Sequence, residues 1–145
     1  MSAPASREDG RAVVEFVFLG TLMLVPLVYL VLTLGAVQAG AFAATTAARE
    51  AGRAFTTSPS DDAAAARGHA AAALSFEDFG VRDGSGVTFT CDGSPCLRPE
   101  GKVSVTARVS VILPLMPAFL ADAMPASIPI SVTHVASVDR FGGAP

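Results

Sequence analysis

The chain has 145 residues, is 51% hydrophobic and only 16% charged, and carries a formal net charge of -3. That balance excludes the broad basic field needed to neutralise a nucleic-acid backbone, so no nucleic-acid partner is expected. Once one long apolar run is set aside, about a hundred residues remain, enough for a single small domain.

A polar leader, MSAPASREDG, precedes the apolar run. From Phe16 to Val37 there are 22 residues with no ionisable side chain except Tyr29. A helix of that length crosses a hydrocarbon layer of about 30 Å at about 1.5 Å per residue. The apolar region of a secretory signal is normally about 7–15 residues, so the length favours a membrane anchor. The small residues of AGAFAATT, Ala39 to Thr46, keep open a cut by signal peptidase. Pro26 removes one backbone hydrogen bond in mid-run, and a kink or local unwinding is expected there. Arg7 and Arg11 on one side balance Arg49 and Arg53 on the other, so cation counting leaves the orientation tied. The length of the C-terminal part and its two cysteines favour a cytoplasmic N-terminus and an extracytoplasmic C-terminal domain.

Glu15 stands at the edge of this run. A carboxylate entering lipid costs a few kcal/mol on insertion scales, so it must stay at the interface or find a cation. One reading is an acid in the first helical turn, favoured by the helix dipole. Past the span, ATTAAREAGRAF (Ala44 to Phe55) places Arg49 and Arg53 four residues apart on one helical face, with Arg53 at i+3 from Glu50. Either the alanines form a packing face that lets helices approach closely, or the charges mark a helix emerging into water.

The run Gly10-Arg11-Ala12-Val13-Val14-Glu15-Phe16, with its polar leader and uncharged span, resembles the prepilin processing site of type IV pilin-like proteins. ATTAAREAGRAF is similar to the Ala-Ala-Arg-Glu-x-x-Arg signature that follows the membrane helix in the TadE-like family, the minor pseudopilins of tight-adherence pilus systems. The resemblance covers about the first 50 residues and departs from the pattern in placing the bulky cation Arg11 directly after the glycine. It implies that a prepilin peptidase cuts between Gly10 and Arg11. The new α-amino group would then lie one turn from Glu15, and a carboxylate buried among packed helices needs such a cation. Glu15 and Phe16 are thus implied as assembly residues, and Pro26, Arg49, Glu50 and Arg53 as helix-packing residues. The implied partners are the peptidase, other pilin or pseudopilin subunits and the membrane, with the cell surface as the final location.

Beyond Phe55 the resemblance carries no motif. Ser58 reads as an N-cap and Pro59 as the first helical residue of an alanine-rich helix. It should run to about Phe76, weakened at Gly68, with Leu74, Phe76 and Phe79 as its buried edge. After Gly80 the pattern has period two: a strand at 87–91, one at Lys102 to Leu113 and one at Ser127 to Arg140, forming a small antiparallel sheet. Val103, Val105, Ala107, Val109 and Val111 share one face, which the alanine-rich helix and the end of the membrane helix must cover. The proline-rich stretch between the last two strands, with Leu115, Met116, Phe119, Leu120 and Met124, either folds back to complete the core or exposes an apolar patch to a partner or membrane.

Cys91 and Cys96 enclose DGSP. Their spacing is neither the Cys-x-x-Cys redox motif nor a zinc pattern, and His69 and His134 are far away in sequence, so a disulfide is expected on export and no metal or cofactor is. No Gly-rich phosphate loop, His-Glu-x-x-His or Gly-x-Ser-x-Gly occurs, and no enzymatic activity is expected. The expected architecture is α+β: a leader at 1–10, a transmembrane and juxtamembrane helix at 11–55 and a pilin-like extracytoplasmic domain at 56–145. The competing expectation is a single-pass anchored binding module that never polymerises.

Overall fold

Between the leader and Thr56 nothing but Pro26 interrupts helix-compatible sequence, and the two segments read above as span and juxtamembrane stretch fuse into one element. In the computed structural model, which describes residues 8–81, 83–115 and 127–141, helix α1 runs Glu8–Thr56, 49 residues, and is assigned as helical without a break across Pro26. Its end has a local cause. The hydroxyls of Thr56, Thr57 and Ser58 donate back to the carbonyls of Gly52, Arg53 and Ala54 at 3.0, 2.8 and 2.7 Å, and Pro59 has no N–H with which to continue.

Helix α2 spans Asp61–Asp78. Its N-cap is Ser60, whose Oγ accepts from the Ala63 N–H at 3.3 Å, rather than Ser58, whose hydroxyl is already committed to Ala54. At the other end Val81 N–H donates to Phe76 O and Gly80 N–H to Glu77 O, both at 2.9 Å, with Gly80 at φ +71°. This paired closure needs a left-handed residue just past the helix, which glycine supplies without strain. Phe76 is buried at 3% exposure, but Leu74 and Phe79 are 64% and 43% exposed. The buried edge of α2 is instead Ala64, Gly68, Ala72, Ser75 and Phe76, because small residues let α2 lie close against α1.

Three strands, β1 (Gly86–Cys91), β2 (Lys102–Ile112) and β3 (Ser127–Ser137), form an antiparallel sheet in the order β1-β2-β3. Register pairs Phe89 with Val105 and Val105 with His134. The expected alternation holds: Val103, Val105, Ala107, Val109 and Val111 are buried, while Thr106 and Thr133 on the opposite face share a hydroxyl contact at 3.0 Å. Each fully buried valine contributes about 1.5–3 kcal/mol.

The second half of α1 is the main cover of this sheet. Ala43, Ala44, Ala47, Ala48, Ala51 and Phe55 are buried, and α1 approaches closely enough for Gly40 to abut Val111 and Ile130 and for Gly52 to abut Ala136 and Val105. The α2 helix contributes less, meeting the sheet at β1, where Gly68 lies against the Phe89 ring. A Cβ on Gly68 would stand 2.5 Å from Phe89 Cζ, so the glycine read above as a weak point is what admits the ring. The result is an α+β, pilin-like layout whose packed unit begins inside α1, upstream of Thr56.

Candidate functional site

The N-terminal half of α1 has no cover. From Val13 to Leu34 its large apolar side chains are exposed, and the helix is long and apolar enough to cross a membrane. Such a surface is stable only in lipid or against other apolar helices.

Gly10, Arg11, Glu15 and Phe16 all lie on this exposed half. Arg11 and Glu15, at i and i+4, share a helical face, yet no ion pair joins them among the described residues. Glu15 lies on α1 seven residues past Glu8, the first described residue of the helix. A Cβ added at Gly10 would meet nothing within 4 Å among the described residues.

Arg49, Glu50 and Arg53 are exposed, and Glu50 forms no ion pair with Arg53 among the described residues. Their alanine neighbours Ala47, Ala48 and Ala51 are fully buried against this chain's own sheet and α2. The stretch is thus amphipathic in a simple sense: small residues toward the core, charges toward water.

At the pole of the domain farthest along α1 the Cys91–Cys96 disulfide closes the β1–β2 connection, with Cα atoms 5.4 Å apart. Asp61 accepts the Cys96 N–H at 2.8 Å and the Leu97 N–H at 3.0 Å, joining the start of α2 to this loop. Asp92 accepts the Lys102 N–H at 3.0 Å and pairs with Arg98 at 2.9 Å. The Lys102 N–H holds the Asp92 carboxyl below its ordinary value against the opposing effect of desolvation, and the Arg98 guanidinium adds to the lowering. Nearby, Arg140 pairs with Glu100. The partners of Asp61 lie 35 and 36 residues away, a distance at which no local pattern signals them.

His69 stands edge-on to Phe89 at 5.2 Å, and His134 lies on the covered face of β3 near Gly52. Among the described residues no three His, Cys, Asp or Glu side chains gather as metal ligands. Of the proline-rich stretch, Met116, Phe119, Leu120 and Met124 lie outside the described residues, and Leu115 is 74% exposed. The leader residues Met1 to Arg7 likewise lie outside them.

No family model, no curated protein and no solved structure matches this chain.

Proposed function

We propose that the chain is a minor pseudopilin of a tight-adherence-type pilus: a single-pass membrane precursor, cytoplasmic at its N-terminus, trimmed by a prepilin peptidase between Gly10 and Arg11. It then joins or initiates the fibre through the exposed half of α1. The observation that carries this reading is the continuity of α1. One helix serves first as an uncovered apolar rod and then, with no linker, as the spine of a small α+β domain. A rod of that kind leaves lipid only by packing against the rods of other subunits.

Glu15 is then the charge that sets the register between neighbours, balanced by the α-amino group freed on Arg11. The same architecture argues against removal of the apolar run by signal peptidase. A cut between Ala39 and Thr46 would sever or strip residues such as Ala43 and Ala44, which are fully buried in the core.

The test is the N-terminal sequence, by mass spectrometry, of the protein extracted from membranes of its native host. A mature chain beginning at Arg11 is expected. An intact leader would replace this proposal with an anchored module that does not polymerise, and a start between Ala39 and Thr46 would make the protein a secreted one.

A further inference from the structure

We infer that the end of the folded domain formed by Phe79, Ile112 and Leu115 rests in the interfacial layer of the bilayer, binding neutral phospholipid by apolar contact. The inference rests on the reading of α1 as a membrane span.

The geometry follows from where the domain meets α1. Counting about 20 residues for a hydrocarbon core of about 30 Å from Phe16 brings the helix out near Gly35 and Ala36. Packing against the domain begins there: Ala36 touches the core and Gly40 lies under Val111 and Ile130. No stalk separates the domain from the membrane surface.

The strands and α2 both point their apolar ends at that surface. Val105 lies beside Gly52 and Val111 beside Gly40, so β2 runs antiparallel to α1 and delivers Ile112, then the turn carrying Leu115, toward the bilayer. The α2 helix ends at the same level, where Phe79 and Val81 line a groove of ≈ 530 Å³ with Ala36, Gly40 and Ile112. Ile112 and Leu115 are 73% and 74% exposed, a state that is unfavourable in water and matched by the lipid interface. The opposite pole is built differently, from Asp92, Glu100, Lys102 and Arg140, with Phe141 its exposed apolar side chain. Glu77, Asp78 and Asp83 stand beside the apolar rim; Arg82 is the one cation in the sequence of residues 77–83, and this net negative stretch favours a neutral surface over an anionic one.

The chain contains no Trp, so single Trp variants report position without background. Leu24→Trp in mid-span, Ile112→Trp and Leu115→Trp at the rim, and Ser94→Trp at the far pole would be made in the full chain. Each would be reconstituted in phosphatidylcholine vesicles whose acyl chains carry bromine at shallow or at deep carbons. Leu24→Trp is expected to be quenched by deep bromines. Both rim variants should be quenched by shallow bromines several-fold more than Ser94→Trp, with blue-shifted emission, and the effect should fall as phosphatidylglycerol replaces phosphatidylcholine. Quenching of Leu24→Trp with both rim variants as wet as Ser94→Trp would overturn the interfacial contact and leave the span standing. Absence of quenching at Leu24→Trp would overturn the span reading and this inference with it.

Discussion

The carboxylate of Asp61 accepts the backbone N–H of Cys96 at 2.8 Å, so the first residue of α2 and the disulfide loop hold each other across 35 residues of sequence. A second bond, from Leu97 N–H, completes a two-pronged clamp at the pole far from the apolar rod. Hydrogen bonds to a charged acceptor contribute roughly 1.5–3 kcal/mol each when shielded, less when exposed as here, so Asp61→Ala should cost about 1–2 kcal/mol. Replacing both cysteines with serine should cost about 2 kcal/mol, since the loop is short. The two changes act on one loop, and their combined cost should fall below the sum. Thermal melts of the two variants and their combination check this, and strict additivity would show that the clamp and the disulfide are independent.

Gly68→Ala offers a test in which local and tertiary effects oppose each other. Alanine favours a helix over glycine by about 1 kcal/mol. Its Cβ would meet Phe89 Cζ at 2.5 Å and the Ala51 carbonyl oxygen at 3.3 Å, and overpacking of this kind costs about 1–3 kcal/mol. Net destabilisation is expected, with Phe89→Leu partly relieving it. A raised melting temperature for Gly68→Ala alone would mean that the ring moves aside without cost.

These two sites also mark what could be read in advance. The alternation from Val103 to Val111 and the turn-rich segments around it announced three strands because strand periodicity is local. The length of α1 followed from a helix-compatible run in which Pro26 is the one proline, a residue that spanning helices tolerate. Neither the Asp61 clamp nor the niche for Phe89 has a local signature, since each joins residues that only the packing of α2 beside β1 brings together. Leu74 and Phe79 illustrate the reverse error: hydrophobicity suggested burial, but α2 meets α1 mainly through alanine and glycine, and Phe76 is the large side chain of α2 that enters the core.

Asp92 links the far pole to pH. Its carboxyl is held below the ordinary value of 3.8 by the Lys102 N–H and then by Arg98, so the folded state favours the charged form. The stabilisation is therefore complete above the ordinary value and disappears as pH falls through the depressed one. Melting temperatures followed downward from about pH 5 should fall more steeply for the native chain than for Asp92→Asn. Parallel curves would assign the acid sensitivity to other carboxylates.

Glu15→Leu separates insertion from assembly. Removing a carboxylate from the edge of an apolar helix should leave membrane insertion intact or favour it. Under the proposed registering role, loss of the Glu15 charge should weaken association with pilin subunits. Membrane fractionation and co-purification from the native host read the two effects separately. Undiminished co-purification of the subunits would sink the registering role of Glu15.

Because α1 passes from its bare half into the core of the domain as one continuous helix, a tilt of the part beyond Pro26 is also a tilt of the domain. A membrane helix tilts by about 20° on average, and over the roughly 30 Å of α1 that stands inside the domain such a tilt sweeps the far pole sideways by on the order of 10 Å. In a membrane-spanning α1 a change of tilt is therefore also a displacement of the disulfide loop.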